Sequence, residues 1–354
     1  MVAGDAIDPS VQVRPLQQAD KQAWGRYVLD HPAGTVFHLP QWSAAVEESY
    51  GHRPAHLGAF AADRMVGVLP LFLVKSAFVG KVLVSIPYAT YGGILADSLP
   101  VAQVIVGCAI ALRGQLGCRY VELRHREPSG LDLPEVDRYD TFRKQLPPRA
   151  EDVLPSLPRK TRAAARKGLD ILGPPAIATG RALVDAVYDL YSANVRRLGS
   201  PNYRRSLFHR LAGLYDQDCV CVLVRDGGKP AAAVMSFVFR DEIVPYFSGS
   251  TDEGMTKNAN NVMYLKLMEY AVARGLRWFD FNRTRRDNRG PHAFKRYHGF
   301  EPTPLHYQFC PARPGDVPDL TPSARKFALA GAVWRKLPLW LTRPVGECVT
   351  KWIP

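Results

Sequence analysis

The sequence predicts a mixed α/β fold built from two similar units in tandem. Three observations carry this expectation. The order hairpin, third strand, helix, strand occurs twice along the 354 residues, and two copies of one unit is the economical explanation. Segments alternating apolar and polar residues are interleaved with segments of helical period. Hydrophobic residues make up 47% and charged residues 22%, which supports packed cores and excludes a globally disordered chain.

In the first half, residues 11–16 alternate and open the fold as a strand. Residues 19–29 read as a helix with Trp24, Tyr27 and Val28 on one face. A second helix follows 35–42 and ends near Gly51, with Pro40 suited to its first turn. Residues 56–61 and 65–74 pair around Asp63-Arg64. A third strand at 81–86 is broken by the segment Pro87 to Gly93. A helix at 100–116 and strands at 120–124 and 139–145 complete the half.

The second half begins with a basic helix at 154–168, where Arg159, Arg162 and Arg166 share a face. That face suits an anion, and also plain solvation. Helices at 182–198 and 203–215 follow. Residues 220–224 and 231–239 form a hairpin around Asp226-Gly227-Gly228, a strong turn signal. A strand at 243–250, a helix at 261–274, a strand at 277–282 and a closing strand at 305–309 complete it. Pro147-Pro148 disfavour both helix and sheet interior and set the expected boundary. The expected organisation is a disordered N-terminus at 1–10, a first domain at 11–148, a second at 149–310, and a basic amphipathic tail at 311–354.

The net charge of +13 suits anionic partners: nucleic acid, phosphorylated lipid carriers or a membrane surface. The six cysteines form no C-x-x-C pair, and Cys219 and Cys221 share a strand face as core residues. A reducing, cytoplasmic setting is expected. Residues 1–10 lack the cationic, apolar run of a signal peptide, and the apolar run at 101–112 is short for a span. No His, Cys and carboxylate cluster has metal spacing, and no P-loop or Ser-His-Asp arrangement is present.

The chemistry-bearing stretch runs from Arg277 to Phe300. Trp278, Asp280 and Asn282 alternate with Phe279, Phe281 and Arg283. The strand leads into a loop holding Arg283, Arg285, Arg286 and Arg289, then a short turn with Phe294, Lys295 and Tyr297, stopped by Gly299. Polar groups at the end of a buried strand, faced by cations, suit an anion or a developing oxyanion. A solvated basic loop beside a core strand fits the same residues.

These motifs resemble the FemAB family of peptidyltransferases, especially members found with PEP-CTERM/exosortase and exopolysaccharide systems. The resemblance rests on Phe-Asp-Phe-Asn-Arg-Thr at 279–284, Phe-Lys-Arg-Tyr-His-Gly at 294–299 and Val-Arg-Arg-Leu-Gly-Ser-Pro at 195–201. In the first half it rests on Phe37-His38 with Trp42 and on Pro87 to Gly93. It implies two tandem GNAT-like acyltransferase domains. Known members of that family attach amino acids from aminoacyl-tRNA to peptidoglycan precursors. The chain departs from the family pattern at Asn282-Arg283-Thr284, where Gly-Arg-Ser is usual. It departs again at His298, where an aromatic is usual.

On this resemblance Lys295 is the expected oxyanion stabiliser, and Asp280 the candidate proton acceptor. Without it, Lys295 reads as a solvated cation and Asp280 as a group bonding the loop backbone. Arg283 and Arg285 would clamp a phosphate or carboxylate, with pairing of Arg285 to Asp287 as the plain alternative. Asn282, Phe294, Tyr297 and Tyr264 would line the pocket. Tyr88, Tyr91, Gly92 and Gly93 flank a bend where glycine permits close approach of a ligand, or an ordinary tight turn. No tightly bound cofactor is expected; the donor is an aminoacyl-tRNA or an acyl-CoA. The expected acceptor is an anionic envelope precursor, a lipid-linked or nucleotide-linked glycan. The glycine-rich turn with which GNAT enzymes hold the CoA pyrophosphate is absent, since Asn258-Ala259-Asn260-Asn261 stands in its place. In the tail, Phe327, Gly331 and Trp334 fall on one helical face among cations. That face suits an anionic membrane surface, and equally packing onto a domain.

Overall fold

The computed structural model describes residues 11–77, 79–314 and 325–353; the expected disordered stretch at 1–10 lies outside them. Among the described residues, those within 1–138, 304–319 and 351–354 form one compact unit, and those within 139–303 and 320–350 form the other.

In the first unit, Val11–Pro15, Leu57–Ala61, Arg64–Leu69 and Leu95–Ala96 form a four-stranded sheet. A six-stranded sheet holds Phe72–Ser76, Gly80–Val84 and Tyr120–His125 at its centre. The helix Leu99–Leu116 buries Val101, Ile105 and Ala109 against the first sheet. Gly67 makes that contact possible, because a Cβ there would lie 2.7 Å from Ile105 Cδ1. This helix has 18 residues of mean hydropathy 1.5, longer than the run the sequence suggested. Its buried face makes it a core helix.

The second unit has one large sheet. Its order is Ala176–Thr179, Cys219–Asp226, Lys229–Phe239, Glu242–Ser250, Trp278–Asp280, Tyr139–Gln145 and Thr284–Arg285. Alternate residues Val220, Val222 and Val224 join Val262, Leu265 and Met268 of helix Ala259–Ala273 in one core cluster. The hairpin tip is Gly227-Gly228, with φ of 54° and 84°, the left-handed pair that a tight hairpin turn requires.

Two strands cross the expected boundary. Tyr139–Gln145 belongs to the second unit, where Phe142 is fully buried, so the division falls near residue 138 rather than 148. Pro147-Pro148 merely follow that strand. Conversely, His306–Pro311 pairs with Tyr120–His125 in the first unit, from His306 opposite His125 to Pro311 opposite Tyr120. Two local readings also change. The strand expected at 277–282 is Trp278–Asp280, because Asn282 turns to φ 60°. The expected short turn at 294–297 is the end of a helix, Arg289–Tyr297.

The tail is not a separate appendage. Helices Arg325–Lys336 and Leu339–Val349 pack on helix Val184–Leu198. The crossing is glycine-lined: a Cβ on Gly199 would lie 2.9 Å from Gly331 O, and one on Gly346 would lie 2.4 Å from Asn202 Oδ1. Arg196 donates to Leu337 O at 2.8 Å, and the Tyr188 hydroxyl donates to the Glu347 carboxylate. Replacing Gly346 with valine overpacks this contact and should cost about 2 kcal/mol, read as a lower urea midpoint. An unchanged midpoint would show that the tail does not dock there.

Candidate active site

The site of the second unit begins where two parallel strands part. Glu242–Ser250 pairs with Trp278–Asp280 only at Glu242 opposite Trp278 and Ile243 opposite Phe279. Beyond that, Glu242–Ser250 runs straight on beside Lys229–Phe239. There its register slips, Met235 facing Phe247 and Ser236 facing Pro245. Pro245 has no N–H to give the ladder, so a bulge forms with Tyr246 unopposed. The other strand turns away at Asn282. Asn282 Nδ2 donates to Pro245 O at 2.8 Å, which pins the apex of the opening.

Lys295 holds that turn. Its Nζ donates to the carbonyl oxygens of Phe281 and Asn282 at 2.7 Å each, and of Arg283 at 3.3 Å. An ammonium has three N–H groups, and three consecutive carbonyls take them. Lys295 is buried, so it neither solvates nor points a spare donor at an oxyanion. The oxyanion expectation is corrected on geometry: Lys295 is a positioning residue. Asp280 is fully buried, and its Oδ1 accepts from Asn282 N at 2.7 Å and Thr141 Oγ1 at 3.2 Å. It ties the backbone turn and is enclosed too completely to take a proton from a substrate.

The remaining residues divide. Tyr264, on helix Ala259–Ala273, packs edge-on to Phe281 with ring centroids 4.8 Å apart and lies 5.7 Å from Phe294. Burial pushes its phenol up, opposed by a hydrogen bond with Ser248. His298 packs against Phe294 with ring centroids 4.3 Å apart and planes inclined at 42°, so it supplies the ring that an aromatic would. Arg283 lies over Tyr139 at 5.0 Å. Arg285 pairs with Asp287 at 3.0 Å, its plain alternative. Tyr297 is largely exposed.

Tyr88, Tyr91, Gly92 and Gly93 belong to the first unit. Tyr88 and Tyr91 are buried; Tyr88 stacks on Tyr50 at 4.1 Å, and Tyr91 meets Phe37 edge-on at 5.7 Å. What approaches Gly93 closely is the His125 ring, 2.1 Å from where a Cβ would stand. The tyrosines are therefore packing residues.

Sequence reading missed His292. Its Nε2 donates to Asp140 Oδ2 at 3.2 Å, which leaves Nδ1 as the basic nitrogen. His292 precedes Lys295 by one helical turn, and Phe142 lies against both. Reading 289–297 as a helix would have put the two on one face.

Burial pushes the Lys295 ammonium down to about 7, with Asp280 opposing. In the unfolded chain a lysine titrates near 10.4. Between these values the unfolded state holds more protons, so stability carried by this group rises with pH. Relative to Lys295→Met, the unfolding free energy of the wild type should rise by on the order of 2 kcal/mol from about pH 7 to about pH 9. A flat difference in urea melts would show that the three carbonyls keep the ammonium at its ordinary value.

Residues 156–296 match a family model described as an acetyltransferase (GNAT) domain. No curated protein matches the chain in sequence. Among solved structures, FemX is similar at TM-score 0.64 and 13% identity, over 84% of this chain and 97% of that one. A tandem GNAT protein from the clavulanic acid biosynthesis pathway is similar at TM-score 0.53 and 12% identity, over 86% and 99%. The C-terminal domain of a putative lysylphosphatidylglycerol synthetase from Agrobacterium fabrum is similar at 0.52 and 11%, over 82% and 91%. At these identities the likeness is one of fold: the chain has a tandem GNAT architecture, and the family match places an acetyltransferase (GNAT) domain at residues 156–296.

Proposed function

We propose that the chain is an N-acyltransferase that takes its acyl group from a coenzyme A thioester held in the second unit. The observation that carries this reading is an asymmetry between the units. In the first, Gly80–Val84 also pairs with its parallel neighbour at only two positions, Leu83 opposite Val121 and Val84 opposite Glu122. The chain then folds back into the gap. Gly92 and Gly93 N–H both donate to Arg124 O, at 3.0 and 2.9 Å, and the Arg124 guanidinium reaches Ala89 O at 3.0 Å while bound to Glu122 at 2.7 Å. That opening is stitched shut. In the second unit the strand continues past the bulge at Tyr246, and the thioester is proposed to lie along this strand beside the bulge.

The missing glycine-rich turn is less of an obstacle than it reads. Asn258 stands at φ 62° before helix Ala259–Ala273, with no side-chain cap on it. Asparagine tolerates the left-handed conformation that glycine otherwise supplies. Asn261 and Val262 N–H donate to Asn258 O, so the N–H groups of Ala259 and Asn260 are the ones proposed to meet a pyrophosphate. The aminoacyl-tRNA donor rests on the family resemblance alone. An incoming amine must lose a proton, and partly exposed His292, oriented by Asp140, is the group assigned to take it.

The acceptor proposed is an amine on an anionic envelope-glycan precursor, lipid-linked or nucleotide-linked. The family resemblance and the net charge of +13 support it. In calorimetry with acetyl-CoA, Asn258→Val should weaken binding at least about tenfold, because a β-branched residue resists positive φ. His292→Gln should leave that binding intact and lower turnover roughly 10²-fold. Absence of any acetyl-CoA binding by the wild type, with transfer from aminoacyl-tRNA, would overturn the donor assignment.

Peripheral attachment at the cytoplasmic membrane face is proposed for the docked tail. Trp340 is 75% exposed on a helix that follows Arg335 and Lys336, a pairing suited to an anionic headgroup layer. Trp340→Ala should reduce co-sedimentation with anionic vesicles and leave the melt unchanged. Equal sedimentation of both proteins would remove the membrane role.

A further inference from the structure

Tyr264 stands where the two parted strands of the second unit face each other, and it touches both. It comes from helix Ala259–Ala273, which lies on strand Glu242–Ser250. At the head of that helix Asn260 Nδ2 donates to Ser250 Oγ at 3.3 Å. One helical turn on, the Tyr264 phenol is hydrogen-bonded to the Ser248 side chain. On its other side the Tyr264 ring meets Phe281 edge-on at 4.8 Å. Ser248 lies on the strand that continues past the bulge, and Phe281 immediately precedes the turn at Asn282. The ring therefore spans the opening from lip to lip on the face that the helix covers.

Neither lip is free to move aside. Glu242–Ser250 is pressed on its opposite face by helix Val184–Leu198, since a Cβ on Gly249 would lie 2.2 Å from Leu190 O. Phe247 fills that same face against Tyr191 and Phe208, with ring centroids 5.6 and 4.2 Å away. Alternation along the strand turns Ser248 the other way, toward Tyr264. The second lip is held by Lys295 on its three carbonyls.

Behind Tyr264 there is no slack. Phe281, Phe294 and His298 close round its ring, and every pair among the four rings is 4.3–6.4 Å apart. His298 is fixed by its own bond, Nδ1 donating to Phe294 O at 2.8 Å. To move one ring is to give up its contacts with the others. Tyr264 and Ser248 are nonetheless partly exposed, so a ligand in the opening can reach the ring.

We propose that Tyr264 sets the length of acyl group the site accepts, its ring forming the wall on which a chain laid beside the bulge ends, so that the donor carries a short acyl group. This rests on the donor reading above, a coenzyme A thioester in the second unit. An acetyl group needs no room beyond its methyl. A long aliphatic chain has to displace the ring, and with it the Ser248 bond and the aromatic contacts behind.

The test is calorimetry of the full chain with acetyl-CoA and octanoyl-CoA, which differ only in the acyl chain. No acceptor is needed. The wild type should bind octanoyl-CoA at least about tenfold more weakly than acetyl-CoA. Tyr264→Ala should cut that ratio at least about fivefold, because the wall is gone. Tyr264→Phe loses the Ser248 bond but retains the ring, and should keep the ratio. Tyr264→Leu shortens the side chain while leaving an apolar contact with Phe281, and takes the place of the alanine variant if that one does not fold. Octanoyl-CoA bound by the wild type as tightly as acetyl-CoA overturns the length limit and leaves the donor reading standing. A ratio unchanged in both shortened variants, or relaxed as far by Tyr264→Phe as by Tyr264→Ala, removes Tyr264 as its cause. A wild type that binds neither thioester overturns the donor reading and this proposal with it.

Discussion

The Lys295 ammonium, closed on the carbonyl oxygens of Phe281, Asn282 and Arg283, is the contact on which the second unit's site depends. A strand that leaves its sheet inside a protein exposes consecutive carbonyls to an apolar interior, and each unmet one is costly. One cation meets three at once. Asp280 secures the matching donor, the Asn282 N–H, and Asn282 in turn reaches Pro245 across the parting strands. The opening, its apex and its apolar lining from Tyr264 and Phe281 follow from this one arrangement.

The two units share one local arrangement of strands. Each has a pair of parallel strands joined at two positions before they part. In the first unit, the buried Arg124–Glu122 pair and the glycine N–H groups close the gap. Buried ion pairs seldom stabilise more than an apolar filling would, and here the guanidinium also satisfies loop carbonyls. In the second unit the gap stays open at a bulge. One opening is closed, and the other is the one proposed to receive the donor. Each unit also completes its sheet with a strand drawn from beyond the expected border, Tyr139–Gln145 in one case and His306–Pro311 in the other.

Much of the fold was legible because its signals are local. The Gly227-Gly228 hairpin, the alternation of Val220 to Val224 and the apolar helix after Pro100 are written in neighbouring residues. The exchanged strands were not legible. Tyr139–Gln145 alternates as any strand does, and its partner Trp278–Asp280 lies more than a hundred residues away. At the site, the Phe-Lys motif drew attention to Lys295 as an oxyanion stabiliser, and its ammonium is instead taken by three carbonyls. Three carbonyl acceptors from 281–283 converge only after Asn282 adopts a positive φ, and no pattern of residue types announces that. His292 was missed because the proline and glycine beside it read as loop, whereas Gly290-Pro291 begin a helix. Tyr88 and Tyr91 were misread for the opposite reason: their bend looked like a ligand approach and is filled by the protein's own rings.

The opening held by Lys295 is the place proposed to receive the acyl donor. The most direct measurement is a crystal structure of the full chain with a non-reactive thioether analogue of acetyl-CoA. The acyl carbonyl should lie beside the Tyr246 bulge, the pyrophosphate at the N-terminus of helix Ala259–Ala273, and Lys295 should still be closed on its three carbonyls. Analogue bound elsewhere on the chain, or Lys295 released from the carbonyls to contact the thioether group, would contradict this proposal.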